Sequence, residues 1–218
     1  MGPEATVLLM QKLLAAVSAR DDADHIPLIV HQNPAVPSRI KRLIEGSGGD
    51  PAPVLAQMAR DLAAAGAHGI AMPCNTAHAY SPQIVDATPL PFLDMRQATF
   101  DHLRSILPAG SHIGVLASPA VRMAQVFDAW FAKFGFVPVY LLDDAQVLSL
   151  IRQVKSGDTG PKAHAQMERI ANMLAAKSDH LVVACTDLSL LTSALASLSS
   201  TDSLDCLTAR IINFAKSS

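Results

Sequence analysis

Met72-Pro73-Cys74-Asn75-Thr76-Ala77-His78 is the stretch whose reading decides the fold. Ahead of it, Ala67-His68-Gly69-Ile70-Ala71 is short and apolar and reads as a buried strand. Behind it, Thr76 to Val85 has helical composition, and Asn75 or Thr76 can cap the helix start. Cys74 is therefore expected on a strand-to-helix turn. Free backbone N–H groups and the positive end of the helix dipole gather at such a turn. Those surroundings lower a thiol's pKa and make it a usable base or nucleophile. An inert buried cysteine satisfies the same local pattern, and the stretch alone does not choose between the two.

A second copy of the pattern changes the balance. Ser178-Asp179-His180-Leu181-Val182-Val183-Ala184-Cys185-Thr186-Asp187 repeats strand, cysteine, small polar residue and helix. Cys74 and Cys185 lie 111 positions apart (185 − 74), about half the chain. The repeat predicts an α/β protein of two pseudo-symmetric halves, each a parallel sheet flanked by helices. Ligands of open α/β sheets bind beyond the carboxyl ends of the strands, so both cysteines are expected in one cleft between the halves. Residues 1–94 with 205–218 are expected to form the half bearing Cys74, and residues 95–204 the half bearing Cys185. The second half opens with the strand Ser111-His112-Ile113-Gly114-Val115-Leu116 and then Ser118-Pro119; the first opens at Gly2-Pro3. The first strand of the N-terminal half is thus expected to be absent. Either the start codon is placed too late or something else fills the slot.

Element by element, a helix is expected from Ala5 to Arg20 and strands at Ile26–Val30 and Leu90–Leu93. Pro51–Gly66 reads as a helix with Asp50 as N-cap and Gly66 closing it. In the second half, Ser118–Phe134 reads as one helix, with strands at His112–Leu116, Val137–Leu141 and His180–Ala184 and a weaker one near Leu198. Trp130, Phe127, Phe131 and Phe134 form a helical stripe, expected as core or interface.

Composition narrows the classes. Of 218 residues, 50% are hydrophobic and 17% charged, so a sizeable core is available and disorder is not indicated. A net charge of −2 leaves no basic footprint for nucleic acid. No apolar run reaches membrane-spanning length. Three widely spaced cysteines, with no CxxC pair and no Cys/His cluster, give neither a disulfide framework nor a metal site. A reducing cytoplasm is the simpler expectation.

Two thiols facing one small substrate define a chemistry. A thiolate on one side removes a proton from carbon, and a thiol on the other returns one to the opposite face, inverting a stereocentre. Cysteine suits the task because its ordinary pKa is near ~8.5 and falls readily at helix starts. The carbanion needs its carboxylate held by backbone N–H groups and small polar side chains, for which Asn75, Thr76 and Thr186 are placed. Plain N-capping is the competing role for these three.

The residues resemble the aspartate/glutamate racemase family. Met-Pro-Cys-Asn-Thr-Ala-His at residues 72–78 and Cys-Thr-Asp-Leu at residues 185–188 carry the resemblance, which spans nearly the whole chain. It implies a two-domain α/β enzyme that uses Cys74 and Cys185 as catalytic residues, needs no cofactor and forms a homodimer. Gly2-Pro3 resembles the end of the family's Gly-Gly-Met-Gly-Pro turn and implies that Gly2 lines the substrate pocket. Asn33-Pro34-Ala35-Val36-Pro37-Ser38-Arg39 resembles a loop whose arginine, here Arg39, contacts a substrate carboxylate, and Val154-Lys155-Ser156-Gly157 resembles the segment supplying a substrate-contacting lysine. The family's usual Gly-Cys-Thr-Glu is Ala184-Cys185-Thr186-Asp187 here, and no histidine follows Thr186, which points to the aspartate-type branch.

The expected reaction is racemisation of aspartate or glutamate. Other cofactor-free enzymes of the superfamily compete with it. Maleate isomerases and hydantoin racemases keep two cysteines, whereas arylmalonate decarboxylases use one. A catalytically silent carboxylate-binding protein is the reading from a different class. His78, one turn beyond Cys74, is expected to pack or cap, and Cys206 to belong to the core. Glu4 and Asp187 are ionisable residues near the expected cleft, and the sequence assigns them no role.

Overall fold

Strands and helices alternate along the chain, in a computed structural model that describes residues 2–217. In order they are α1 (Pro3–Ala16), α2 (Arg39–Leu43), α3 (Ala52–Ala64), β1 (Ile70–Ala71), α4 (Ser81–Asp86), β2 (Phe92–Leu93), α5 (Met95–Ile106) and β3 (His112–Leu116). There follow α6 (Pro119–Met123), α7 (Asp128–Phe134), β4 (Val137–Val139), α8 (Ala145–Lys155), α9 (Pro161–Ala175), β5 (His180–Val183), β6 (Ser200–Asp202) and α10 (Ser203–Ser217). Short 3-10 helices occupy Thr76–Tyr80 and Leu188–Leu195.

Among the described residues all strand pairs are parallel, and they form two sheets. The larger has the order β4-β3-β5-β6, with Ile113 opposite His180 and Val183 opposite Asp202. The smaller pairs β1 with β2, Ile70 opposite Phe92. Parallel strands covered by helices on both faces need apolar residues on both, and β3 buries four of its five residues. Leu116 packs with Leu150, Met167 and Leu174 of α8 and α9. Ile113 and Val115 pack on the other side with Phe100, Phe127 and Phe131, against which Trp130 and Phe134 also lie. The aromatic stripe is therefore core. Helix α10 returns to the first sheet: Leu204, Leu207 and Ile211 share a cluster with Leu9 and Leu13 of α1 and with Leu93.

Several expectations change. The helix expected over Ser118–Phe134 is two helices, broken at Gln125, whose φ of 52° lies in the left-handed region. Cys74 and Cys185 are each followed by a 3-10 helix, and α4 begins only at Ser81. Asp50 accepts from the Ala52 N–H at 3.0 Å at the start of α3, while Pro51 holds the cap position. The weak strand expected near Leu198 is β6. Ile26–Val30 is not a strand, and among the described residues its main chain makes no backbone–backbone hydrogen bond. β-branched and apolar residues favour a strand, but a strand also needs a neighbour to pair with. All three cysteines are free thiols. Among the described residues, no helix is long and apolar enough to cross a membrane.

Candidate active site

Each cysteine stands just past the end of a parallel strand. Met72-Pro73 separates β1 from Cys74, and Ala184 alone separates β5 from Cys185. Locally each chain turns tightly. The Cys74 N–H donates to Met72 O at 2.8 Å, and Cys185 O accepts from the N–H groups of Leu188 at 2.9 Å and Ser189 at 3.2 Å. The two turns touch: Thr186 Oγ1 donates to Pro73 O at 3.1 Å. A residue next to one cysteine thus holds the residue next to the other.

Asn75 makes a second tie. It is 1% exposed, and its Nδ2 donates to Ser203 Oγ at 2.9 Å. Ser203 Oγ in turn donates to Val183 O at 2.8 Å, at the end of the strand that leads to Cys185. The Asn75 side chain makes no cap bond to the helix it precedes, so capping is not its role. Among the described residues its Oδ1 has no hydrogen-bond partner, an uncommon condition for a buried amide oxygen. Thr76 opens the 3-10 turn and is half-buried.

His78 fixes the Cys74 turn from beneath. Its Nε2 accepts from the Met95 N–H at 3.3 Å, which places the ring proton on Nδ1, 2.8 Å from Cys74 O. Burial lowers its pKa to about 4, against the opposing pull of Asp94, so the ring is neutral near pH 7. Arg96 completes the support. It donates to Asp94 Oδ2 at 2.6 Å, to Ser81 Oγ at 2.8 Å and to His78 O at 3.2 Å. The expectation that His78 packs rather than reacts agrees with this geometry.

Around Cys185 the geometry is electrostatic. Lys155 Nζ lies 2.8 Å from Asp187 Oδ2, and the same oxygen is 3.7 Å from Cys185 Sγ. Burial pushes the Cys185 thiol far up, and the Asp187 charge adds to it; Lys155 and the N–H groups of Leu188 and Asp187 oppose. Cys185 therefore rests as a thiol. Burial also acts to lower Lys155, but Asp187, followed by Cys185 and Cys74, outweighs it and raises the pKa, so the ammonium stays charged. Both thiols thus feel one cation. Gly2 abuts this pair: a β-carbon at Gly2 would lie 3.3 Å from Asp187 Oδ1 and 3.7 Å from Lys155 Nζ. Glu4 Oε2 would be 3.9 Å from it.

Gly2, Asn75, Lys155 and Thr186 thus converge on the two cysteine turns. Arg39 does not join them by contact. At the start of α2, its Nη1 donates to Pro37 O at 2.7 Å and Val36 O at 3.3 Å, within its own loop. Its charge still reaches Tyr80, at the end of the turn that follows Cys74. Cys206 sits apart in α10, beside Thr99, with its thiol pushed up to about 12 by burial first and by Asp202 and Asp205 next. Among the described residues, no group of three His, Cys, Asp or Glu side chains is arranged to hold a metal ion. Sequence reasoning left Asp187 without a role and missed Asp94, Arg96 and Ser203. Only Asp187 carried a signal, its place two residues after Cys185.

Two parallel α/β sheets each lead into a turn that carries a cysteine, and the Thr186–Pro73 hydrogen bond joins the two turns. The family model of Asp/Glu/Hydantoin racemases matches residues 1–211, and the chain belongs to that family, a family of isomerases. An aspartate racemase from Picrophilus torridus is 26% identical with a TM-score of 0.88, over 99% of this chain and 90% of that one. An aspartate racemase homologue from Pyrococcus horikoshii OT3 superposes with a TM-score of 0.72 at 18% identity, over 98% and 95%. A glutamate racemase from Francisella tularensis, solved with D-glutamate, shares the fold with a TM-score of 0.66 at 14% identity, over 99% and 78%.

Proposed function

We propose that the protein is a PLP-independent, cofactor-independent racemase of an acidic amino acid, aspartate or glutamate, working by proton transfer between Cys74 and Cys185. The observation that carries this reading is the Thr186–Pro73 hydrogen bond, which sets the two cysteine turns against each other. In one direction Cys74, as thiolate, takes the α-proton, and Cys185, which rests as a thiol, gives its proton to the opposite face of the carbanion. Product release leaves Cys74 as thiol and Cys185 as thiolate, the state that runs the reverse direction. The charge of Lys155 falls on both sulfurs and stabilises whichever is ionised.

Substrate contacts follow from the same geometry. Thr76, Thr186 and the orphaned Oδ1 of Asn75 offer polar atoms beside the thiols, the last an acceptor suited to the substrate ammonium. Lys155 and Arg39 supply positive charge for the two carboxylates, with Arg39 released from its own loop to do so. Gly2 leaves room against the Lys155–Asp187 pair. In this reading residues 1–94 with 205–218 and residues 95–204 are the two domains flanking the cleft, and the working unit is a homodimer. The free thiols suit a reducing cytoplasm. Likeness to an aspartate racemase at 26% identity favours aspartate over glutamate.

Incubation in deuterated water tests the reading. Aspartate or glutamate should gain deuterium at the α-carbon while its enantiomer accumulates, and Cys74→Ser and Cys185→Ser should each abolish interconversion. Absence of exchange with all four enantiomers, in a folded preparation, would overturn it. Hydantoin turnover would point to the other substrate class in the family description, and maleate turnover to a cis-trans isomerase. Tight carboxylate binding without any exchange would leave a silent binding protein.

A further inference from the structure

Strand β6 ends at Asp202, and the next residue, Ser203, opens α10. These two neighbours reach two different turns. Asp202 Oδ1 accepts from the Leu204 N–H at 2.9 Å, as a helix cap does, and from Ser189 Oγ at 2.8 Å. Ser189 belongs to the turn of Cys185, whose carbonyl accepts from the Ser189 N–H at 3.2 Å. Ser203 serves the other turn. Its Oγ donates to Val183 O at 2.8 Å, at the end of β5, and accepts from Asn75 Nδ2 at 2.9 Å, next to Cys74. A hydroxyl has one proton, and Val183 O takes it. Ser203 is therefore an acceptor for Asn75, which fixes Nδ2 towards Ser203 and leaves Oδ1 as the end without a partner among the described residues. Ser189, Asp202, Ser203 and Asn75 are all buried.

The turn of Cys74 has a counterpart to part of this junction. Asp94 precedes α5 as Asp202 precedes α10, and its Oδ1 accepts from the Arg96 N–H at 2.8 Å. His78 lies four residues after Cys74, and Ser189 lies four after Cys185. His78 is held by the N–H of Met95, the first residue of α5. Each cysteine turn is thus clamped to the helix that follows the next strand. The two helices in turn pack together, for Met95 shares an apolar cluster with Leu204 and Leu207. The correspondence ends at the residue after the aspartate. Met95 has no hydroxyl where Ser203 has one, so the start of α5 holds the turn of Cys74, and the start of α10 holds both turns.

We infer that Asp202 and Ser203 are positioning residues for the two-thiol reaction proposed above, on which this inference rests: Asp202 sets the Cys185 turn through Ser189, and Ser203 sets the Cys74 turn through Asn75. Proton transfer on opposite faces of one carbon needs both sulfurs placed to within about 0.5 Å. The two turns follow strands of separate sheets, so they share no frame unless something ties them. The Thr186–Pro73 bond ties them at one point. The start of α10 is a second point, and two points fix an orientation that one leaves free. The Asn75 amide is fixed by the same contact. Its Oδ1, the acceptor proposed for the substrate ammonium, is left over because Nδ2 is committed to Ser203.

Thiol labelling and steady-state kinetics, read on the same variants, test this. Timed iodoacetamide labelling with peptide mass spectrometry follows Cys74 and Cys185 separately and needs no turnover. Ser189→Ala should change the Cys185 labelling rate about threefold and leave Cys74 near the parent rate. Asp202→Ala, which cuts the same bond from its other end, should also change Cys185, and Ser203→Ala should change Cys74 about threefold. In kinetics, Ser189→Ala should lower kcat about tenfold with KM near the parent's, whereas Ser203→Ala should lower kcat and raise KM, because the Asn75 amide is free to turn. Asp202→Asn, whose amide oxygen accepts both hydrogen bonds, should recover most of the kcat that Asp202→Ala loses. Thr208→Val, a buried change in α10 away from the junction, controls for lost stability and should keep the parent's kcat. The inference fails if Ser189→Ala or Ser203→Ala keeps kcat within about twofold of the parent, or if Thr208→Val loses as much as they do. It fails equally if Ser189→Ala alters both thiols alike or if Ser203→Ala leaves Cys74 unchanged. A parent that racemises no acidic amino acid would defeat the racemase reading instead, and the labelling would still decide whether Asp202 and Ser203 set the two turns.

Discussion

Thr186 donates its hydroxyl proton to the carbonyl of Pro73 across 113 residues of sequence, and this one bond joins the turns that carry Cys185 and Cys74. Thr186→Val keeps the shape and removes the donor. The variant should lose about 1 kcal/mol of unfolding free energy in urea titration. Racemisation should suffer more than stability, because the register of the two thiols is lost, and kcat should fall while unfolding remains cooperative. Unchanged kcat would mean that the bond is incidental to the chemistry.

The charge on Asp187 helps hold Cys185 as a thiol, and Lys155 opposes it. Asp187→Asn should therefore shift the pH profile of Cys185 alkylation to lower pH, and Lys155→Met should shift it to higher pH. Peptide mass spectrometry after timed iodoacetamide labelling reads each profile directly. Shifts in the same direction for both variants would contradict the assigned electrostatics.

Two buried groups impose opposite pH dependences on stability. His78 has its pKa lowered from 6.5 to about 4 by burial, so the stability it contributes is present above 6.5 and is lost as pH falls towards 4. Asp202 has its pKa raised from 3.8 to about 6, also by burial, so its contribution is present below 3.8 and is lost as pH rises through 6. Each shift corresponds to about 3 kcal/mol across its window, so the two largely cancel between pH 4 and 6. Relative to the parent, His78→Gln should lose stability preferentially at high pH and Asp202→Asn preferentially at low pH. Urea midpoints at pH 4, 5, 6 and 7 measure both slopes.

Gln125 holds a positive φ of 52° between α6 and α7 and is exposed. A side chain there is strained, and glycine is not. Gln125→Gly should raise stability by ~0.5–1 kcal/mol, which calorimetry would record as a rise of a few degrees in Tm. A lower Tm would mean that other contacts set the break between the helices.

The pairing of the two cysteine turns was legible because their pattern recurs. A lone Cys74 is ambiguous, but the same strand-end cysteine at Cys185 predicts both halves and their facing turns, and the Thr186–Pro73 contact agrees with that prediction. The strands β3 and β5 are apolar on both faces and stand out for that reason. Long-range partners were not legible. Nothing local in Lys155 announces Asp187, 32 positions on (187 − 155), or in His78 the N–H of Met95. Ile26–Val30 has the composition of a strand, and composition says nothing about a neighbour. The break at Gln125 escaped because a left-handed glutamine has no sequence mark, whereas the glycine at 135 that ends α7 with φ of 72° does.

Beyond the Thr186–Pro73 bond, the two halves also meet through Arg152 and Glu45, 3.1 Å apart and exposed on both sides. An exposed ion pair is weak and loosens in salt, while a half-buried neutral hydrogen bond is nearly indifferent to it. If the halves rock to admit substrate, the neutral bond is the fulcrum and the ion pair the latch. Points near a fulcrum move least. The two sulfurs would then keep their spacing through opening and closing, and under the proposed reaction the acid–base pair would not have to be rebuilt at each turnover.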